Sequence, residues 1–418
     1  MPVEAERGVG RSSTVKLTVL LGFLSAFGPF SIDLYLAAFP TMATDMFTSV
    51  EKIQLTLAVF FAGLAAGQLL YGPLSDRHGR KGPLLAGLVL YSLASFSMVF
   101  VRDIRVFLVL RFLQAVGGSA GMILGRAIVR DSYDTESSAK VFTFVMAVQS
   151  IGPVVAPVLG AYVIATLSWG ACFVFMTFLG VACFVATVFV LVETLPPEKR
   201  IKTGLADVLP IFGSILKNGN FLLMALCGSF GTASIFAFIS ASPGVLINDY
   251  SFTPKEYGWI FGIFSLAMTS MSQANYLLLK KFPARRVLTM GIVSMLFFSL
   301  LLTLSVEFRG LPPPLVLLVL LFFSLMTMPM IGANHTAIAM SLGGARAGSA
   351  SSVLGCVQSL TAALVSSAVG LFAGLVSFPM SFAMVCCSFL SLVFLRVRDS
   401  LYPAAPEKSR TAEKSPTG

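Results

Sequence analysis

Long apolar segments without charge limit the possible folds of this chain more than any other feature of its sequence. Two of them, residues 84–101 and 315–328, contain no charged side chain. A helix needs ~20 apolar residues to cross a bilayer. Only 11% of all residues are charged, whereas water-soluble domains carry roughly 25%. The sequence therefore predicts a polytopic membrane protein and excludes both a water-soluble enzyme and a disordered chain.

Apolar runs bounded by charged residues, Gly or Pro predict twelve membrane spans. We expect helices, because a backbone that faces lipid must satisfy its own hydrogen bonds, and the alternating pattern of a membrane β-barrel is absent. The predicted fold class is an all-α membrane protein with twelve transmembrane helices in two six-helix bundles. The predicted spans are residues 16–38, 52–72, 83–101, 106–127, 140–163, 169–192, 221–243, 257–279, 286–306, 313–338, 349–374 and 377–396.

The distribution of basic residues predicts the orientation of the spans. An N-terminus in the cytoplasm places 23 of the 29 Lys and Arg residues on the cytoplasmic side, as the positive-inside rule requires. We therefore expect both termini to be cytoplasmic. The net charge of +10 then reflects topology and contact with anionic lipid headgroups, and no nucleic-acid partner is expected.

The longest polar break divides the spans six and six. Basic clusters also follow the second span of each half, at residues 77–81 and 280–286. Two parallel six-helix repeats with a substrate site between them are a known transporter plan. The predicted domains are a bundle over residues 1–192, a cytoplasmic linker over 193–220, a second bundle over 221–397 and a tail over 398–418.

The turn after the second span, Gly72–Lys81, has the sequence GPLSDRHGRK. Glycine lets helices approach closely, and an aspartate can interact with the positive end of a helix. The turn resembles the signature of the major facilitator superfamily, which implies a role in locking an inner gate; the alternative is a plain basic turn. The predicted gating residues are Gly72, Asp76, Arg77, Gly79, Arg80 and Arg126.

Further segments resemble one branch of that superfamily. They are SIDLYLAAFP at residues 31–40, GQLLY at 67–71, RFLQAVGG at 111–118 and RAIVRD at 126–131. These resemble the bicyclomycin/chloramphenicol-resistance branch of drug:proton antiporters, although Ala37 stands where the branch often has proline. The resemblance implies proton-coupled efflux of small hydrophobic or cationic drugs through a bacterial inner membrane. It also implies a monomer whose partners are protons, lipid and a small-molecule substrate.

Two charged residues, Asp33 and Arg111, lie within predicted spans. An ionisable group inside a span is costly and is by default a functional hypothesis. Both lie five residues from the outer ends of their spans, roughly 8 Å deep, and so would be able to meet. The resemblance implies that Asp33 carries the coupled proton and that Arg111 orients the site. The alternatives are a static buried ion pair and snorkelling to the interface.

The fifth predicted span combines two prolines with a face of small residues. The prolines bend a helix, and the small residues allow a close neighbour. The segment resembles the antiporter motif of drug exporters, with Ala156 where glycine is usual; an ordinary kinked packing helix is the alternative. The residues concerned are Gly152, Pro153, Pro157 and Gly160.

Polar and aromatic residues on facing spans are candidates for a substrate cavity. For the aromatic residues, packing or lipid contact is the alternative, and for the buried amides it is hydrogen bonding between helices. The candidates are Phe30, Tyr35, Gln114, Phe236, Phe238, Ser240, Asn334 and Gln358.

Several function classes lack their sequence signals. There is no phosphate-binding loop and no paired Cys/His metal spacing, and the six Cys all fall in apolar runs. We therefore expect no enzyme activity, no catalytic residues, no cofactor and no metal. A transporter of a specific metabolite, by uptake or export, remains the main alternative, and a sensor or a channel is a more distant one.

The predicted orientation is testable with reporter fusions. Green fluorescent protein joined after residue 418 should fluoresce in a bacterial host, because it would lie in the cytoplasm. Alkaline phosphatase at the same place should be inactive. Active phosphatase without fluorescence would contradict a cytoplasmic C-terminus.

Overall fold

The computed structural model describes residues 11–200, 205–343, 347–372 and 378–403. Sequence predictions for Arg7, Lys202, Arg346 and the tail from residue 404 lie outside these ranges. The described chain is helical throughout. Its α-helices are α1 Arg11–Asp33, α2 Phe39–Asp45, α3 Val50–His78, α4 Lys81–Met98, α5 Ile104–Ser132, α6 Thr135–Thr166, α7 Trp169–Val190, α8 Leu205–Leu216, α9 Gly219–Pro243, α10 Pro254–Leu279, α11 Ala284–Arg309, α12 Pro314–Leu325, α13 Met328–Leu342, α14 Ala347–Phe372 and α15 Pro379–Leu401.

Ten segments of the described chain are long and apolar enough to cross a membrane. Three of them join adjacent helical pieces: Val15–Asp45, Gly219–Asp249 and Pro314–Leu342. The fold is therefore that of an integral membrane protein built from helices. The other two predicted spans correspond to α4 and α10, which are not among the ten.

Two predicted spans are not continuous helices. The span predicted over residues 16–38 stops at Asp33 and resumes at Phe39, and the span predicted over 313–338 is interrupted between Leu325 and Met328. In each case a proline, Pro40 or Pro329, lies in the first turn of the helix that follows. Proline is favourable there because the first backbone N–H groups of a helix have no intrahelical acceptor.

The predicted linker contains a helix that the sequence analysis did not anticipate. Helix α8 lies within residues 193–220, and its Phe212 and Ile215 are buried against a cluster that includes Phe221 and Leu354. The polar break at Pro196–Lys199 is present as a short 3₁₀ turn. The final helix α15 continues to Leu401, beyond the predicted boundary at 397.

The helices form two groups, α1–α7 and α9–α15, which meet mainly where α6 packs on α10 and α3 packs on α14. At the α6–α10 contact, a methyl group on Gly258 would lie only 2.7 Å from the Cβ of Ala161. At the α3–α14 contact, Gln68 Nε2 donates to Ser359 Oγ at 3.2 Å. Backbones at such small residues approach closely, which stabilises helix pairs in lipid.

The two ends of the bundle differ in how closely the groups approach. We call the end that holds the α3–α4 turn the basic end. At the opposite end α6 and α10 are in contact, as at Gly258 and at Gly262. Closer to the basic end the same helices line a cavity instead, and Gly72 has no neighbour within 4 Å of its Cβ position. The cavity therefore lies on the basic-end side of the α6–α10 contact.

Close packing of α6 on the α1 break gives a stability prediction. A methyl group on Gly160 would overlap the carbonyl oxygen of Leu34. Gly160→Ala should therefore destabilise the protein by about 1–3 kcal/mol, because overpacking forces the backbone to move. Thermal unfolding in detergent measures the effect.

Gly125→Ala is the matched control, because the nearest atom to its added methyl group is a Leu21 side-chain carbon at 3.7 Å. Alanine also has the higher helix propensity, so this variant should be neutral or slightly stabilised. Equal melting temperatures for Gly160→Ala and Gly125→Ala would contradict the packing described.

Candidate functional site

A cavity of about 490 Å³ lies between the two groups of helices. Its wall is mostly apolar, and only two of its lining residues, Asp33 and Arg126, are charged. The lining residues come from α1, α5, α6, α9, α10 and both sides of the α12–α13 break: Gly28, Pro29, Ile32, Asp33, Met122, Arg126, Gln149, Ser150, Pro153, Ile235, Phe236, Phe238, Ile239, Phe261, Phe264, Ser265, Met268, Thr269, Ser272, Leu325 and Pro329.

Asp33 is the last residue of α1 and lines the cavity. It is 5% exposed, and its Oδ1 accepts no hydrogen bond. Within the described ranges no Lys, Arg or His nitrogen lies within 4 Å of its carboxylate. The C-terminal end of a helix carries a partial negative charge, so α1 does not compensate the carboxylate either. A carboxylate at this position is thus buried without a counter-charge.

Arg111 does not form the ion pair with Asp33 that the sequence analysis considered. Its guanidinium group is fully buried between the rings of Tyr35 and Phe60, 4.6 Å and 4.4 Å from their centroids. It donates hydrogen bonds to Ser31 O at 3.0 Å and to Tyr35 Oη at 3.1 Å. Cation–π contacts and hydrogen bonds, rather than a carboxylate, stabilise this cation.

The contacts of Arg111 fix the chain on both sides of Asp33. Ser31 also hydrogen-bonds through its hydroxyl to Tyr91 Oη at 2.8 Å, and Tyr35 does so to Thr56 Oγ1 at 2.8 Å. The break after α1 is thereby attached to α3, α4 and α5. Arg111 therefore contacts the chain on either side of Asp33 and not the Asp33 carboxylate itself.

Gln114 is part of the Arg111 network and not of the cavity wall. Its Oε1 accepts from Arg111 Nη1, and its Nε2 donates to Ser95 Oγ at 2.7 Å and to Met176 Sδ at 3.4 Å. Because these contacts hold the amide inside the first group of helices, it does not reach the cavity.

Of the eight predicted cavity residues, Phe236 and Phe238 line the cavity. Phe238 packs on Phe261 and Phe264, with centroids 5.6 Å and 5.7 Å away. The structure places Tyr35, Gln114, Phe30 and Ser240 elsewhere. Phe30 packs on Phe175 at 5.6 Å, while Ser240 is fully buried with no hydrogen bond to its Oγ.

Asn334 and Gln358 also lie outside the cavity wall. Asn334 Nδ2 donates to Asn275 Oδ1 at 2.8 Å, and Gln358 Nε2 lies 2.9 Å from His335 Nε2. His335 Nδ1 lies 3.0 Å from Ile331 O, so it is the protonated ring nitrogen and Nε2 is the acceptor. These side chains connect α10, α13 and α14, which matches the alternative interpretation as bonds between helices.

The small residues of α6 make close contacts on both sides of the helix. A methyl group on Gly152 would lie 2.7 Å from Pro29 of α1, and one on Gly160 would overlap Leu34, which directly follows α1. Pro153 lines the cavity, and Pro157 O would lie 3.0 Å from a methyl group on Gly258 of α10. The segment therefore forms a packing surface toward α1 and α10 that borders the cavity.

The α3–α4 turn is organised by Arg80. It is 4% exposed and forms salt bridges with Asp76 at 2.6 Å and with Asp131 at 2.9 Å. Its Nη1 also donates to Ser75 Oγ at 2.7 Å. The turn itself requires Gly79, whose φ of +88° is unfavourable for other residues.

Glu193 is a residue whose importance at this turn the sequence analysis missed. Its carboxylate accepts from the backbone N–H groups of Arg80 at 2.7 Å, Lys81 at 3.1 Å and Leu195 at 3.0 Å. Partial burial acts to raise the pKa of Glu193, but these backbone donors outweigh burial and lower the pKa below its usual value. The sequence did contain a signal for this role: Glu193 is an acidic residue just after the sixth predicted span, on the same side as the turn.

The remaining predicted gating residues differ in their positions. Asp76 is 42% exposed at its side chain, and Arg77 is exposed at the end of α3. Arg126 does not join the Arg80 network. It lies on α5 in the cavity wall, because α5 faces α1 along the cavity before it reaches the turn.

Within the described residues, no group of three or more His, Cys, Asp or Glu side chains is placed to hold a metal ion. The cavity itself presents a mostly apolar surface with two charged residues, Asp33 and Arg126. Such a surface can bind an organic molecule of drug size.

Named relatives of this chain include drug-resistance proteins. The protein named uncharacterized MFS-type transporter YdgK from Bacillus subtilis is 34% identical over 361 residues, 85% of this chain and 88% of that protein. The bicyclomycin resistance protein homolog of Haemophilus influenzae is 29% identical over 92% of this chain and 96% of its own. The chloramphenicol resistance protein of Pseudomonas aeruginosa is 33% identical over 71% and 70%.

Solved structures support the fold. The crystal structure of a D-xylose-proton symporter superposes with a TM-score of 0.73, at 14% identity, over 92% of this chain and 97% of that chain. A family model described as Major Facilitator Superfamily matches residues 19–244 and 232–418. This chain is therefore a transporter and not an enzyme, and it belongs to the major facilitator superfamily.

Proposed function

We propose that this transporter exports small hydrophobic or cationic drugs in exchange for protons, by alternating access. The observation that carries the proposal is Asp33, a carboxylate without a cation partner in the described structure, at the wall of a cavity between the two groups of helices. The names of the drug-resistance relatives support the substrate class.

The environment of Asp33 suits a proton carrier. A permanently paired carboxylate would keep its charge in every state, whereas an unpaired one can exchange a proton whenever water reaches it. The helix break after Asp33 and the break between α12 and α13 both border the cavity. Broken helices near the middle of the membrane are typical of ion and substrate sites in secondary transporters.

The proposed cycle has four steps. Asp33 releases its proton toward the cytoplasm, the substrate enters the cavity, the groups of helices close at the basic end, and they open at the other end. Protonation of Asp33 from outside then favours substrate release. The structure, with its cavity on the basic-end side of the α6–α10 contact, corresponds in this scheme to the inward-facing state.

The same scheme completes the topology. We propose that α4 and α10, with 18 and 26 residues, are the remaining two of twelve spans, arranged as two six-helix bundles, residues 1–192 and 221–397. Both termini are then cytoplasmic, and the protein acts as a monomer in the bacterial inner membrane. The main alternative, a proton-coupled transporter of one metabolite, would show a narrow substrate range.

Asp33→Asn should abolish coupling, because an amide cannot carry the proton. In proteoliposomes with an imposed pH gradient, chloramphenicol transport by the variant should fall to the level of protein-free vesicles. Addition of chloramphenicol should cause proton movement across the vesicle membrane with the unmodified protein but not with Asp33→Asn. Asp103→Asn, at an exposed helix cap, is the control and should behave like the unmodified protein. Gradient-driven transport by Asp33→Asn at the normal rate would refute the coupling role.

Glu193→Gln tests whether Glu193 stabilises the α3–α4 turn, which we propose is part of the inner gate. The amide keeps the shape but loses the charge that accepts three backbone N–H groups, so we expect a loss of about 1–3 kcal/mol in stability and slower transport. Because its pKa is lowered in the folded protein, the carboxylate stabilises fully at neutral pH. That contribution disappears as the pH falls through the lowered pKa.

Glu136→Gln is the matched control for thermal unfolding at neutral pH. Glu136 pairs with Lys140 at 2.8 Å on an exposed helix face, where side-chain exposure is 79% and 74%. Exposed pairs of this kind contribute little. Equal stability losses in the two variants would show that Glu193 has no special role at the turn.

A further inference from the structure

Arg126 is a charged cavity residue that the proposed proton pathway does not use. It is exposed into the cavity, and within the described ranges it forms no hydrogen bond and no salt bridge. Most intramembrane charges are paired with other groups. An unpaired guanidinium group in a binding cavity therefore offers its donors to a ligand.

The acidic groups near the basic end do not neutralise Arg126. Asp76 and Asp131 both bind Arg80. Glu136 binds Lys140 on an exposed face of α6, and Glu193 accepts from backbone N–H groups at the α3–α4 turn. The positive charge therefore remains available to whatever occupies the cavity.

The cavity that Arg126 lines also contains polar and aromatic groups. Gln149 lines the same cavity, and its side-chain amide forms no hydrogen bond with another described residue. Across the cavity, Phe236, Phe238 and Phe261 form an aromatic wall. An arginine and an amide suit a carboxylate or another strong acceptor, and the aromatic wall suits an apolar body.

Asp33 and Arg126 lie at different depths in the cavity. Gly28 of α1 faces Met122 of α5, and from that level Asp33 lies five residues away in one direction and Arg126 four residues away in the other. At 1.5 Å per residue the Cα atoms are about 14 Å apart along the bundle axis. A group that binds Arg126 thus leaves the Asp33 carboxyl free to titrate.

We propose that Arg126 binds substrate directly, and that the cavity selects compounds with an anionic or strongly accepting group on an apolar body, with that group toward the basic end. This inference rests on the proposed function, since it assigns the substrate class of the same cavity. It narrows that function, because a purely cationic compound would be repelled by Arg126.

Equilibrium binding to the purified full-length protein in detergent tests the proposal without a proton gradient. The probes are dansylglycine, which carries a carboxylate, and its methyl ester, which does not. Dansyl fluorescence should show tighter binding of the carboxylate probe by about tenfold, as expected for a charge-assisted hydrogen bond. Arg126→Gln should remove this preference and leave the affinity for the ester unchanged, whereas Arg126→Lys should retain part of it.

Arg130→Gln is the matched control, one turn further along α5, with a side chain that is 69% exposed and outside the cavity wall. It should keep the full preference. Equal affinity of the unmodified protein for both probes, no binding of either probe, or an equal loss for both probes in Arg126→Gln would overturn the proposal. Because no gradient is used, a failed transport test with Asp33→Asn leaves this binding result intact, and the two failures are distinguishable.

Discussion

The cost of charge inside an apolar bundle is the constraint on which the rest of this structure depends. Arg111 is compensated by two aromatic faces and by the hydrogen bonds that its Nη atoms donate to Ser31, Tyr35 and Gln114. Asp33, two residues from Ser31, has no such compensation. Arginine suits the first role because its planar cation binds several acceptors and stacks on rings. Asp33, which has no counter-charge among the described residues, is therefore the residue to which we assign proton exchange in the proposed function.

The contacts between the two groups of helices are nearly all non-polar or uncharged. Glycine contacts join α6 to α10, and one side-chain hydrogen bond joins Gln68 to Ser359. The salt bridges of the described residues all lie within one group, such as Arg80 with Asp131 or Arg285 with Asp399. Movement of one group against the other would therefore break none of these ion pairs. Rigid groups joined by close but uncharged contacts suit the rocking motion of this class of transporters.

The sequence was sufficient to predict the helical membrane fold, because apolar runs of bilayer length have few other solutions. It also identified Asp33 and the Arg80 turn, since charges in or beside spans are conspicuous. The sequence did not predict the break after Asp33, because a hydropathy profile does not reveal a helix interruption within an apolar run. The proline at position 40, in the first turn of the following helix, was one local sign of it.

Side-chain direction was the other limit of the sequence. Gln114 and Asn334 lie on helices that border the cavity, but their side chains point into contacts between helices. Tyr35 and Gln358 also make such contacts, whereas Arg126 and Gln149 face the cavity. Which face of a helix borders a cavity depends on how the two groups pack, and a helix that is apolar on all sides carries no periodic signal of that face. The role of Glu193 was also not predictable, because two of its three partners are backbone groups 112 and 113 residues away.

The central claim is that Asp33 changes its protonation state when substrate binds. Infrared difference spectroscopy on the purified protein observes this directly, through the C=O stretch of a protonated carboxyl group. We predict that addition of a transported drug removes one such band, and that the band is missing from Asp33→Asn in both states. A difference spectrum with the same carboxyl signal in Asp33→Asn as in the unmodified protein would contradict the account.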